Sequence, residues 1–219
     1  MYQICTPWQR VKAYLEAWFI DHEFIRVLYR NFYPIGSKAF RSNHPSPRFI
    51  KKLKRKYGVQ TIVNLRGANK TGQYMLEKEA CEQQGITLID VPFSSREAPP
   101  KKSIHKLFDI FDTVKYPILL HCKSGADRAG IGSVLYEFHV EGIPIQQSKQ
   151  LSLKFGHIKG SETGVLDLFI NTWADYNQQN PTVPFIEWVD ETYDPETINK
   201  EFKTTLFSHI LVNKILKRE

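Results

Sequence analysis

The chain has 219 residues, 42% of them hydrophobic and 13% aromatic, which is enough apolar matter for one buried core with extensions and too much for a disordered chain. Its three cysteines, Cys5, Cys81 and Cys122, show no paired spacing, and no CxxC or HxxxH element occurs; the composition therefore points away from a disulfide framework or a zinc site and towards a reducing compartment. The net charge of +7 is uneven, since residues 1–66 hold 13 Lys/Arg against three acids and the rest hold 17 against 20. A basic face of that kind favours an anionic partner such as a phosphate, a lipid head group or nucleic acid, or is simply a well-solvated surface.

In chain order, residues 8–32 place Val11, Leu15, Trp18, Phe19, Phe24 and Leu28 at helical spacing. Arg10, Lys12, Glu16, Asp21 and Glu23 interrupt this stretch. It therefore offers neither a signal-peptide core nor the run of about 20 apolar residues that spans a bilayer, and the cytoplasm is the expected location. Ser46-Pro47 reads as an N-cap followed by proline at the first helical position, opening a helix that stops before Gly58. Strand and helix then alternate. TIVNLR (61–66), TLIDVPF (87–93) and PILLHC (117–122) are short apolar strands; residues 73–84, 103–115 and 129–142 are helices, the first ending at Gly85 and the last at Gly142. This alternation predicts an α/β fold with a central, mostly parallel sheet flanked by helices. Domain limits fall at 1–37 for an N-terminal helical extension, 38–175 for the central domain and 176–219 for a C-terminal extension with a terminal helix.

In open α/β sheets, ligands sit beyond the carboxyl ends of strands. HCKSGADRAG (121–130) occupies such a junction, between strand 117–122 and the helix after it. A helix N-terminus and a nearby cation both stabilise a thiolate, and Cys122 has the helix start and Arg128. Successive N–H groups across Lys123, Ser124, Gly125 and Ala126 can curl into an anion-binding nest beside His121. Gly125 permits the tight curvature, and the planar guanidinium of Arg128 can hold two phosphate oxygens at once. Thiolate attack on phosphorus would give a phosphocysteine that water hydrolyses.

The pattern Cys-x5-Arg preceded by His121 resembles the signature of the protein tyrosine phosphatase superfamily. FRSNHPSP (40–47), VQTIVNLRG (59–67), VPFSSREAPP (91–100) and YPILLHC (116–122) extend the likeness to the atypical dual-specificity phosphatases of plants, fungi and bacteria, over about residues 38–142. More loosely, the whole chain looks like a bacterial branch with extra terminal segments. The resemblance implies a shallow pocket, no metal or other cofactor, and phosphoproteins, inositol phosphates or phospholipids as substrates. No nucleic acid is expected as partner, and an anionic membrane surface is a candidate one.

Two departures from the family pattern matter. Many relatives carry Ser or Thr directly after the arginine, where the hydroxyl assists departure of the thiolate; here Ala129 stands, with Ser124 as a partial substitute. The general acid is also unsettled. Asp127 precedes Arg128 much as in myotubularin-type and bacterial lipid-directed phosphatases, Glu97 sits in a loop before Pro99-Pro100, and Asp90 lies 32 residues before Cys122; they rank in that order. Arg66, His157, Lys154 and Lys159 are further pocket candidates, or ordinary surface residues, and His139 reads as packing or surface.

Three other readings share these residues. A rhodanese-like sulfurtransferase also places a cysteine loop after a buried strand, but that loop is usually one residue shorter. A weakly active phospho-binding module would keep the nest without turnover. A membrane-surface adaptor would need only residues 1–66.

Overall fold

The computed structural model describes residues 6–16, 19 and 29–216, with backbone alone over 206–216. Cys5, Trp18, Phe24, Arg26 and Leu28 lie outside the described residues.

Helix α1 (Pro7–Leu15) starts on a reciprocal capping box: Thr6 accepts from the Gln9 N–H, and the Gln9 side chain accepts from the Thr6 N–H. The helical spacing read over 8–32 is not one helix. Residues 29–32 are irregular, and Tyr33–Ile35 is already the first strand, β1.

The sheet continues with β2 (Ala39–Ser42), β3 (Thr61–Asn64), β4 (Thr87–Asp90) and β5 (Ile118–His121), in the spatial order β1-β2-β5-β3-β4. Only the edge pair β1/β2 is antiparallel. All four residues of β3 and of β5 are buried, as a sheet covered on both faces requires. The register aligns Ser42, His121, Asn64 and Asp90 in one row at the carboxyl ends of four strands, the row from which the site rises.

Helices α2 (Pro47–Tyr57) and α3 (Gly72–Gln84) begin on Ser46 and Thr71, whose hydroxyls accept from backbone N–H groups, and end on left-handed Gly58 and Gly85. They cover one sheet face with a core of Phe49, Ile50, Leu53, Ala80 and Cys81 against Ile62 and Leu119. Helices α4 (Lys101–Thr113) and α5 (Asp127–His139) cover the other face. The α2 limits match the expected ones, and the others differ by one to three residues at an end.

Three more helices follow: α6 (Val165–Gln179), α7 (Phe185–Glu191) and α8 (Pro195–Leu216). Phe169, Trp173, Phe185, Trp188 and Tyr193 form an aromatic cluster within the same core as α4 and α5. The limit drawn at 175 thus falls inside α6, and residues up to Ile198 share the main core. Likewise the limit at 37 falls between β1 and β2, which pair in one sheet. Trp188 is fully buried, so Trp188→Ala would cost about 3–5 kcal/mol. Among the described residues, no helix is long and apolar enough to cross a membrane.

Candidate active site

Strand β5 ends at His121, and the next six residues turn back into α5. Cys122 stands at the base of that turn, 2% exposed, and its Sγ accepts the Gly125 N–H at 3.2 Å. Gly125 has φ +78, and an added Cβ would lie 2.7 Å from the Asn43 nitrogen. Both the backbone conformation and the close approach to the end of β2 therefore demand glycine there.

The carbonyls of this loop are each fastened from outside it. The Lys123 carbonyl accepts the His44 N–H at 3.3 Å, and the Ser124 carbonyl accepts from Asn31 Nδ2 at 3.2 Å. Arg41 Nη2 donates to the Gly125 and Ala126 carbonyls at 2.6 and 3.0 Å. In a trans peptide the N–H opposes the preceding C=O, so these four fastened oxygens leave the N–H groups of residues 124–127 on the other side, where that of Gly125 meets Cys122 Sγ and that of Ala126 meets the Ser124 hydroxyl. The start of α5 adds its own positive end.

Arg41 is fully buried, stacks on Phe155 at 4.1 Å, and donates through Nη1 to the Gln150 carbonyl and Oε1. Burial pushes its guanidinium down to about 10, against the raising influence of Cys122 and Glu137. Asn31 also donates to the Phe155 carbonyl at 2.9 Å, so the 150–157 turn is fastened to the loop from two sides.

Arg128 is half-buried in the first turn of α5 and, among the described residues, makes no hydrogen bond or ion pair. Its fork is open to a ligand. Asp127 Oδ1 lies 2.8 Å from His157 Nδ1, and His157 Nε2 lies 2.6 Å from Asp167 Oδ2, while Lys159 Nζ lies 3.5 Å from Asp167 Oδ1. Burial alone would push the His157 imidazole down, but hydrogen bonds and charge from Asp127 and Asp167 outweigh it and raise it to about 9. His157 is therefore an imidazolium at neutral pH.

The comparisons agree with this geometry. Residues 50–152 match the family model described as DSP-PTPase phosphatase fused to NAD+ Kinase. That match spans a little under half of the chain and takes in the sheet from β3 to β5 and the loop after it. Similar solved structures include a putative phosphatase (DUF442) from Shewanella putrefaciens CN-32, at 19% identity over 66% of this chain and 93% of that one, with a TM-score of 0.52. PTPMT1 matches at 14% identity over 68% of this chain and 99% of its own, and Tk-PTP at 18% over 65% and 96%, both with a TM-score of 0.50. No curated protein matches the chain by sequence.

The three acid candidates sit in different settings. Both Asp90 carboxylate oxygens accept at 2.7 Å, one from Asn64 Nδ2 and one from the Tyr74 hydroxyl, which ties Asp90 into the strand row. Glu97 is exposed on the loop after β4 and lines a cavity of about 440 Å³ with Ser94, Arg96, Glu162, Phe202 and Lys203. Asp127 belongs to the phosphate loop itself. Its Oδ2 has no hydrogen bond among the described residues.

The other candidates are placed as follows. Arg66 turns inward, donating to Gln73 Oε1 at 2.7 Å and lying 3.3 Å from His44 Nδ1. Lys154 lies over the rings of Tyr33 and Phe155, and His139 pairs with Asp112 beside Phe108. Ala129 is fully buried, and the Ser124 hydroxyl accepts the Ala126 N–H at 3.3 Å.

The sequence reading did not single out Asn31, Arg41, His44, Glu77, Gln150 or Asp167. Arg41 and His44 lie within FRSNHPSP, so that segment was visible while their roles were not. His44, Glu77 and His121 place donor atoms within 4.8 Å of one another, all buried. His121 Nε2 is 2.7 Å from Glu77 Oε1. That is an ion-pair spacing, and it is short for two ligands of one tetrahedral zinc, which stand about 3.3 Å apart. The trio fits a buried polar support under the loop better than a metal site.

Proposed function

We propose that Cys122 is the nucleophile of a two-step phosphomonoester hydrolysis, with Arg128 and the inward N–H groups holding the phosphoryl oxygens. The observation that carries this is the set of four outward carbonyls, which leaves a cradle of donors around Sγ. In the first step, Sγ forms a bond to phosphorus as the bond to the leaving oxygen breaks, and that oxygen takes a proton from Asp127. In the second, water attacks the phosphocysteine, the Asp127 carboxylate takes its proton, the S–P bond breaks and inorganic phosphate leaves. His157 holds Asp127 in place beside the leaving oxygen.

The basic first third and the Asp127-Arg128 pair favour a multiply charged inositol or lipid phosphate over an isolated phosphotyrosine, at the cytoplasmic side of a membrane. The test is phosphate release from four substrates: a phosphotyrosine peptide, soluble inositol phosphates, phosphoinositides and a lipid A phosphate. We expect the inositol and lipid phosphates to lead and Cys122→Ser to abolish all release. A serine variant with near-wild-type turnover would overturn the mechanism, and a dominant phosphotyrosine activity would overturn the substrate class. For the acid, Asp127→Asn should cost about 10²-fold or more on an alkyl phosphate and far less on a nitrophenyl ester, whose leaving group needs no proton. If Glu97→Gln shows that contrast and Asp127→Asn does not, the proton comes from the 94–100 loop.

A further inference from the structure

Helix α1 is amphipathic in the reverse sense for a packed helix. It meets α3 through small and polar groups. A Cβ on Gly72 would lie 2.5 Å from Ala13 Cα, Arg10 forks onto both carboxylate oxygens of Glu79 at 2.8 and 2.6 Å, and Glu16 accepts the Gly72 N–H. Trp8, Val11 and Leu15 recur at three- and four-residue spacing on the opposite side, and Phe19 continues the row. They are 75%, 47%, 51% and 70% exposed. The alternative in which these side chains pack the helix onto the phosphatase core does not hold for these four.

Helix α2 lies on the same side of the sheet, since α2 and α3 share one core and α1 rests on α3. It carries six Lys/Arg and no acid. Five of them, Arg48, Lys51, Lys52, Arg55 and Lys56, are exposed and line a groove of about 510 Å³. One side of the molecule therefore joins an exposed apolar row to a dense cationic helix. Water alone gives no reason for large aromatic groups to stand out beside such a charge. An anionic bilayer satisfies both, with apolar groups entering at the head-group boundary and cations meeting lipid phosphates. The segment that leads into α2 touches the loop of Cys122, because the His44 N–H donates to the Lys123 carbonyl at 3.3 Å.

We propose that the α1/α2 side is a docking surface for an anionic lipid bilayer. This concerns where the enzyme sits and holds whichever phosphomonoester Cys122 attacks. The test uses the full chain and vesicles of phosphatidylcholine, alone or with phosphatidylglycerol at about one lipid in three. Sedimentation should be strong on the mixed vesicles, weak on the neutral ones, and lost as salt shortens the screening length from about 8 to 3 Å. Reversing Lys51, Lys52 and Arg55 to glutamate should weaken binding about 10²-fold or more. Trp8→Ser with Phe19→Ser should weaken it about tenfold or more at unchanged salt dependence.

Hydrolysis of a small aryl phosphate in solution is the control for folding, and every one of these variants should retain it. Equal binding to neutral and anionic vesicles, or variants that sediment like the parent, would overturn the proposal. So would a dimer in solution that dissociates on Trp8→Ser with Phe19→Ser and binds no vesicle, because a second copy would then cover the apolar row. If vesicles fail while aryl phosphate is turned over, the docking surface fails and the catalytic reading stands.

Discussion

His157 Nδ1 lies 2.8 Å from Asp127 Oδ1 across thirty residues of chain, and Asp167 holds the other side of the same ring at 2.6 Å. The imidazolium, raised to about 9, is thereby built into the wall of the phosphate loop. A raised histidine adds stability that is complete below its unfolded value, near 6.5, and disappears as pH rises through about 9. The stability gap between the parent and His157→Gln should therefore be widest at pH 6 and nearly gone by pH 10, as read by denaturant melts across that range. The alkaline limb of kcat near pH 9 should shift in the variant. A gap that is flat with pH would mean that His157 is neutral in the fold.

Arg41 makes its own prediction. Arg41→Leu leaves the Gly125 carbonyl without its donor, at about 1–3 kcal/mol for the buried oxygen so orphaned, while the Ala126 carbonyl keeps the Gly130 N–H. Product inhibition by inorganic phosphate should weaken at least tenfold because the inward N–H groups lose their fixed direction. Arg41→Lys should recover only part of this, since one ammonium cannot reproduce the planar fork. Unchanged phosphate inhibition in a folded Arg41→Leu protein would show that the loop holds its shape without the clasp.

Gly125→Ala tests the turn itself. The methyl group would meet the β2 end at 2.7 Å in a left-handed backbone, so both stability and turnover should fall, the former by more than about 1 kcal/mol. A thermal melt and an aryl-phosphate assay read the two effects. An alanine variant that keeps both would mean that the loop relaxes freely.

Ala129 stands where many relatives carry a hydroxyl, one residue beyond Arg128 and wholly buried. If breakdown of the phosphocysteine limits turnover, Ala129→Ser should raise the steady-state rate and shrink the pre-steady-state burst. Rapid-quench measurement of both quantities decides it. An absent burst in the parent, with no gain in the variant, would place the slow step elsewhere.

The sheet was legible because β3 and β5 are short, apolar and bounded by helices whose caps can be read, such as Ser46 and Gly58. The loop that holds Cys122, Gly125 and Arg128 was visible as a strand end, a glycine and a helix start in succession, and the left-handed Gly125 is where that turn needs it. Arg41 was not legible, since a buried arginine in a short strand has no periodic mark, and its partners lie 84 to 109 residues away. The His157–Asp167 pair was hidden for the same reason. The apolar row of α1 was visible, but helical spacing alone does not say whether a stripe faces a core or the outside. The rest of α1 decides that, because Ala13, Arg10 and Glu16 already take the side towards α3.

The clasp on the phosphate loop also bears on when the enzyme becomes reactive. Asn31 reaches the Phe155 carbonyl over 124 residues, and Arg41 reaches Gln150 over 109. A nascent chain that has emerged only as far as the end of α5 contains every residue of HCKSGADRAG, yet lacks the turn that buttresses Arg41 and the ring that holds Asp127. The loop is thus written early and shaped late. A ribosome-bound or truncated fragment would carry the loop without its clasps, and its geometry would arrive only with closure of the tertiary structure.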